Sequence, residues 1–337
     1  MNMKISVIGM GSIGQRHFNN LNKFKKKYKI TEIRGFETNK NRLNVLKKKY
    51  KNYLITDNFS KVVKNSDVVY ICSPTNLHNQ SIIKTLKYSK PHFYIEKPLS
   101  SKIEGCKSIL NRIKKTKKKV AIGYMLRHHP VVDYTKKILK KKFLGKILFA
   151  RAESGFYLPF WHPWEDYRDF YMSSIRKGGG ALLDTSHEIN YLQYFFGKVQ
   201  KVNGQVDTIS NLDITSDDLT TGNIYFKNGI KAQVHLDLLQ FNEERYFKII
   251  GSKAMLVGDL KNKLVKIYNI KSKKWKIQKL KFEFDEIYHT QLHNFMKKIK
   301  NKKSNICDSE SAYDTMRIIE GIRKSSKNNC KMVSIKS

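Results

Sequence analysis

The chain has 337 residues, long enough for two domains each with its own core, and its 40% hydrophobic content excludes disorder as the default. Lys and Arg total 66 against 28 Asp and Glu, a formal charge of +38. The basic residues are dispersed in short runs at 25–27, 47–49, 117–119 and 140–142, on or beside predicted helices, and no arm or aromatic-interleaved motif gathers them. That dispersal sets aside nucleic acid as a dedicated partner but predicts attraction for an anionic ligand such as a nucleotide. No apolar stretch approaches the ~18 residues of a membrane span, and a first strand beginning at Lys4 leaves no room for a signal peptide, so neither membrane nor secretion is expected. Cys72, Cys106, Cys307 and Cys330 form no CxxC pair, which fits reduced thiols in a cytoplasmic protein.

The chain opens with a short apolar strand, Lys4 to Ile8, followed at once by Gly9-Met10-Gly11-Ser12-Ile13-Gly14 and a helical stretch carrying Ile13, Leu21 and Phe24. In such a context Gly9 permits a tight turn, Gly11 lets backbone approach a pyrophosphate and Gly14 allows close helix packing, with Ser12 and Ile13 opening the helix at the phosphates. A second strand, Thr31 to Glu37, ends on a carboxylate at the distance where one accepts from adenosine ribose hydroxyls, which favours NAD. Lys40 and Arg42 follow and could neutralise a 2′-phosphate, so NADP stays open, as does a capping role for Glu37 on the helix Asn41 to Tyr50.

A continuous apolar strand, Asp67 to Cys72, runs into the polar elbow Ser73-Pro74-Thr75-Asn76-Leu77-His78, predicted to lie beside the cofactor. The next strand, Phe93-Tyr94-Ile95, ends at Glu96-Lys97-Pro98, because Pro98 cannot donate to a ladder. Lys97 therefore sits past the carboxyl end of a strand, where open parallel sheets bind ligands. A further strand, Val120 to Ile122, leads to Gly123-Tyr124-Met125-Leu126-Arg127-His128-His129-Pro130.

The glycine fingerprint, the Ser-Pro-Thr-Asn-Leu-His elbow, Glu96-Lys97-Pro98 and the Gly123–Pro130 segment, in this order, resemble the glucose-fructose oxidoreductase/inositol dehydrogenase/MocA (Gfo/Idh/MocA) family over essentially the whole chain. The resemblance implies an N-terminal Rossmann domain (1–122), a doubly wound parallel sheet. A C-terminal α+β domain (123–337) follows, with a large open, mostly antiparallel sheet for substrate binding and oligomerisation. It also implies that Lys97 contacts both nicotinamide and substrate, that Glu96 borders the cofactor, and that Tyr124 and Arg127 border the substrate.

In the second half, Phe156 to Arg168 concentrates aromatics, and Pro159 and Pro163 exclude a regular helix, so it reads as a structured loop. Trp161 and Trp164 suit a sugar ring or nucleobase and Arg168 a carboxylate or phosphate; burial of the loop at an interface is the other reading. The run Gly178-Gly179-Gly180 precedes a segment in which, if it is one helix, Leu182, Ile189, Leu192 and Phe196 share one face and Asp184, His187 and Tyr191 the opposite one. An Asp one turn from a His is how an imidazole is oriented for proton transfer. The family has a comparable segment with catalytic Asp and His, usually four apart; here they are three apart. Asn228-Gly229 marks a hairpin between the strands Thr221 to Phe226 and Ile230 to Leu238. The resemblance implies that the sheet's open face makes a homodimer or homotetramer contact. His289 and His293 lack an adjacent third ligand, so no metal site is expected.

Together these features predict an NAD(P)-dependent dehydrogenase of a sugar, cyclitol or nucleotide-sugar hydroxyl, with Lys97, Asp184 and His187 as catalytic residues. The rivals are reduction of an imine or conjugated ring on the same scaffold, and a non-catalytic cofactor or sugar sensor.

Overall fold

The computed structural model describes residues 2–161 and 163–336, so His162 of the aromatic loop lies outside the described residues. Residues 1–124 and 288–313 pack as one compact unit, and 125–287 with 314–337 as a second.

In the first unit, short apolar runs bounded by turn residues become strands buried on both faces, the pattern of a helix-covered parallel sheet. They are β1 (Met3–Ile8), β2 (Ile30–Phe36), β3 (Leu54–Thr56), β4 (Val68–Ile71), β5 (His92–Ile95) and β6 (Val120–Ile122), all parallel, in the order β3-β2-β1-β4-β5-β6. This is the doubly wound order, whose direction reverses between β1 and β4. The glycine loop leaves β1 and the Ser73–His78 elbow leaves β4, so both stand at the reversal. Phe18 and Leu21 of the helix Ser12–Lys23 join Val7, Tyr70 and Tyr94 in one buried cluster that also takes in Leu292, Phe295 and Met296.

The second unit is built on nine strands: β7 (Ile147–Gly155), β8 (Val199–Asp207), β9 (Leu219–Phe226), β10 (Lys231–Asp237), β11 (Glu244–Gly251), β12 (Ala254–Asp259), β13 (Leu264–Asn269), β14 (Lys274–Lys279) and β15 (Val333–Ser334). Their order is β14-β13-β12-β11-β7-β10-β9-β8-β15, antiparallel among the described residues except for β7 beside β10. The sequence gives little strand signal over β7: its core-facing residues Ala150 and Ala152 are small, and Arg151 and Glu153 alternate with them. At the β9–β10 hairpin Gly229 takes φ +85°, the Gly229 amide donates to Phe226 O and the Phe226 amide to Ile230 O. That is a three-residue loop closed by one left-handed glycine, rather than the two-residue turn that Asn-Gly most often marks.

The three loop glycines play unequal roles. A Cβ at Gly14 would overlap the Gly9 carbonyl oxygen, and one at Gly9, which sits at φ +89°, would lie 2.6 Å from the Ser73 amide nitrogen. Around Gly11 nothing of the chain lies within 4 Å of such a Cβ. Gly14→Ala is therefore expected to cost about 3 kcal/mol or more in urea unfolding, and Gly11→Ala less than about 1 kcal/mol. Equal losses would show that Gly11, too, is held by the chain's own packing.

Candidate functional site

In the first unit the helix Ser12–Lys23 has Gly11 as N-cap, with no side chain capping it, so its first amides point out toward the space above Gly11. Helix N-termini carry partial positive charge, and a glycine without neighbours there leaves room for a phosphate group to approach backbone. The residues present thus fit the pyrophosphate of a dinucleotide.

Glu37 follows β2 and is only 5% exposed. Its Oε1 accepts from the Thr38 and Asn39 amides at 2.9 Å each, and its Oε2 from the Met10 amide at 3.2 Å and Arg42 Nη1 at 3.3 Å. The carboxylate therefore ties the second strand's end to the glycine loop itself. Capping of the next helix, Lys40–Lys49, falls instead to Asn39, whose Oδ1 accepts from the Arg42 amide.

In the elbow, Ser73 is half-buried, Pro74 and Asn76 are exposed and Thr75 is buried. His78 is buried, with Nδ1 3.1 Å from Pro98 O and Nε2 2.9 Å from Ser73 O, and burial holds its pKa below the usual imidazole value. As a neutral imidazole it donates to one of these two carbonyls, and it sits between the elbow and the loop after β5.

At that loop, Lys97 is half-buried and its bond to Pro98 is cis. The preceding carboxylate, Glu96, is 8% exposed and meets His17 Nε2 at 2.7 Å, the Tyr94 hydroxyl at 3.3 Å and the Lys97 amide at 3.1 Å. Burial opposes its ionisation, yet His17 and Lys97 outweigh burial and hold its pKa below the ordinary carboxylate value. A Cβ on Gly123 would lie 2.7 Å from Glu96 Oε2, so that glycine is what lets the carboxylate lie there. Tyr124, next in the chain, is buried.

His17 and Gly123 carried no functional expectation from the sequence. A signal existed for His17: it sits beside Phe18 on the buried side of an amphipathic helix, and a buried imidazole needs a partner.

In the second unit the glycine-rich segment does not lead into one helix. It forms two, Ala181–Asp184 and His187–Phe196, with Thr185 and Ser186 between them. The expectation of one helix with Asp184, His187 and Tyr191 on its face away from the core is corrected on two counts. Thr185 and Ser186 turn their hydroxyls back onto the carbonyls of Ala181 and Leu183, where the chain breaks helical continuity. Tyr191 is fully buried, against Phe195 and Phe247, with its hydroxyl pKa raised well above the usual value by burial.

Asp184 is half-buried and accepts from the Tyr171 hydroxyl, and His187 is largely buried at the head of its helix. The break is fixed from a distance. Asp217 accepts the Ala181 amide through its carbonyl and the Leu182 amide through Oδ2 at 2.8 Å, capping the first short helix, and a Cβ on Gly180 (φ +109°) would strike that carboxylate. Burial pushes the Asp217 pKa up. Next to His187, Glu188 is fully buried and takes Arg245 Nε at 2.9 Å and Nη2 at 3.2 Å, a two-pronged pair that pins this helix to β11. Paired arrangements of this kind are the geometrically specific ones.

Arg127 is buried, donating through Nε to Asn190 Oδ1 at 2.7 Å and lying 4.9 Å from the Tyr194 ring centre. The aromatic loop is a series of 3-10 turns, Leu158–Phe160, Tyr167–Asp169, Tyr171–Ser173 and Ile175–Lys177. Trp161 packs on Phe156 at 4.6 Å, whereas Trp164 is 74% exposed. Arg168 is claimed by Asp166, whose pKa that guanidinium lowers to about 2.

Two family models cover the chain. One described as oxidoreductase family, NAD-binding Rossmann fold, matches residues 3–124, and one described as oxidoreductase family, C-terminal alpha/beta domain, matches 136–335. A myo-inositol 2-dehydrogenase of Thermotoga maritima is 28% identical over 269 residues, 76% of this chain and 75% of that one. A scyllo-inositol 2-dehydrogenase (NAD(+)) of Bacillus subtilis is 25% identical over 248 residues, 71% and 69% of the two. In structure, levoglucosan dehydrogenase in complex with NADH and levoglucosan superposes with a TM-score of 0.86 over all of both chains at 18% identity, a likeness of fold.

The Glu37 geometry separates two substitutions. Removing its carboxylate deprives three amides of their acceptor, so Glu37→Ala should lose about 1–3 kcal/mol in urea unfolding and weaken NADH binding. Arg42 is half-exposed, so Arg42→Ala should change stability by less than about 1 kcal/mol. NADH fluorescence titration beside the unfolding curves tests this, and unchanged NADH affinity in Glu37→Ala would remove the carboxylate from the cofactor site.

Proposed function

Because the chain belongs to the Gfo/Idh/MocA oxidoreductase family, we propose that it is an NAD(P)-dependent dehydrogenase acting on a hydroxyl-bearing carbon of a sugar, cyclitol or nucleotide sugar. The observation that carries this reading is the open space at Gly11, at the head of the first helix and at the reversal of a β3-β2-β1-β4-β5-β6 sheet, with Lys97 past the end of β5. Gly9, Gly11, Ser12, Ile13 and Gly14 would hold the pyrophosphate, Glu37 the adenosine ribose, and Ser73, Pro74, Thr75, Asn76 and Glu96 the walls of the cofactor site. NAD, when bound, supplies the hydride acceptor for oxidation of the alcohol and the donor for the reverse reaction.

The chain's own residues handle the oxygen and the proton. Lys97 holds the reacting oxygen and stabilises the negative charge that develops on it. His187 accepts the hydroxyl proton as the carbinol carbon gives up its hydride, and returns it in reduction. Asp184, already held by Tyr171, orients His187 or binds a neighbouring hydroxyl. Exposed Trp164 and half-exposed Trp161 offer flat apolar faces to a sugar ring. Tyr124, Arg127 and Arg168 complete the substrate assignment as supporting groups, since the first two are buried and the third is paired.

The sheet face bearing half-buried Tyr246, Ile250, Met255 and Val257 suits contact with a second copy of the chain, giving a homodimer or homotetramer. Among the described residues no helix is long and apolar enough to cross a membrane and no disulfide forms, and we assign the protein to the cytoplasm.

A thermal-shift screen of NAD, NADP, inositols, sugars and nucleotide sugars identifies the ligands by mass action, and NADH formation then identifies the substrate. Lys97→Met should keep NAD affinity and lose about 10²–10³ in kcat, and His187→Ala about 10²–10⁴ with disappearance of the alkaline-rising limb of kcat/KM. A near-parental rate with that limb intact in His187→Ala would move the base elsewhere, and no turnover with any panel member despite bound NAD would favour the sensor.

A further inference from the structure

We propose that His17 and Glu96 are positioning residues for Lys97, a buried pair that ties the helix behind the glycine loop to the end of β5 and fixes the Lys97 backbone. The inference rests on reading Lys97 as catalytic. Glu96 is reached from four directions: His17 from the first helix, the Tyr94 hydroxyl from β5, the Lys97 amide from the loop, and the bare Cα of Gly123 from the segment after β6. The His17 ring is in turn packed against Tyr70, Tyr94 and Tyr288, with centroids at 5.3, 4.8 and 5.9 Å, so it has little freedom to leave the carboxylate. With Glu96 ionised, His17 Nε2 carries the proton and donates. The same carboxylate accepts the backbone N–H of Lys97, so any loosening of the pair is passed directly to the lysine. Rigid placement of a reacting group is what this arrangement supplies, and misplacement by an ångström is enough to slow chemistry severely.

The other groups facing Glu96 do not share its charge. Tyr70, Cys72 and Tyr94, from β4 and β5 and their ends, have pKa values raised well above the usual range, chiefly by burial, and stay neutral. His78, from the elbow, is lowered by burial and stays neutral near pH 7. Tyr288 contributes a ring against His17, and Lys97 a cation. The carboxylate's ionisation thus depends on His17 and Lys97.

The sign of the pH effect follows. With its pKa depressed in the folded chain, Glu96 contributes stability above the unfolded carboxylate pKa, and that contribution is lost as pH falls through the lower, folded value. In His17→Phe burial persists while the partner is gone, so protonation of Glu96 moves to higher pH.

Three readouts test the proposal on the full-length protein: thermal stability against pH, amide hydrogen exchange of the 96–101 segment, and kcat against pH with the panel substrate that turns over. In His17→Phe the acid loss of stability should move to higher pH. The Lys97 amide should exchange faster, and kcat should fall about 10–100-fold at unchanged NADH affinity. His17→Gln, which keeps a donor, should restore most of the rate. If His17→Phe does not fold, Glu96→Gln serves in its place: there the acid loss of stability due to Glu96 should vanish and kcat should fall, while the limb set by His187 remains. A shift in the stability profile alone, with Lys97 exchange and the kcat profile unmoved, would make the pair merely structural and overturn the proposal while Lys97→Met still reports a catalytic lysine. Undiminished turnover in Lys97→Met would instead overturn the catalytic reading on which the proposal rests.

Discussion

A single buried carboxylate, that of Glu96, constrains the cofactor half of this protein. Removing a charge from water costs several kcal/mol, and only well-aimed partners offset that cost. His17 and Lys97, through its amide and its charge, are those partners, one from the first helix and one from the loop after β5. The first helix cannot shift without moving His17, and the end of β5 cannot shift without moving Glu96. Gly123 must stay without a side chain. The second unit repeats the device with different residues, where fully buried Glu188 holds Arg245 in two places beside His187.

What the sequence disclosed follows from how local each signal is. The glycine loop was readable because a turn, an open helix end and a close helix contact each demand glycine within six residues, and the structure gives Gly9, Gly11 and Gly14 three different environments. The sheet was readable where strands are buried on both faces, as in β1 and β4, and not over β7, where small and charged residues alternate. Glu37 stood in the right place, but its fourfold engagement with Met10, Thr38, Asn39 and Arg42 depends on the folded loop.

The second unit hid more, because its decisive contacts span long stretches of chain. A three-residue step from Asp184 to His187 looks helical in sequence, yet Thr185 and Ser186 interrupt the helix and Asp217, more than thirty residues on, caps the first piece. No periodicity announces such a cap. Tyr171, the donor to Asp184, lies thirteen residues upstream, just past the aromatic loop read from the sequence, and carried no expectation there. Arg127, expected to border the substrate, is buried and donates to Asn190 of the helix carrying His187, a contact that no local pattern announces.

Hydride transfer to the nicotinamide is the reaction proposed for this chain. The most direct measurement supplies NAD⁺ with inositols and sugars deuterated at their carbinol carbons and reads the isotope content of the recovered cofactor by mass spectrometry. Deuterated NADH, formed by the parent protein and lost in Lys97→Met, is the expected result. Unlabelled cofactor with every inositol and sugar supplied, from protein shown to bind NAD, would contradict a dehydrogenase of these substrates and leave a protein that holds the nucleotide without using it on them.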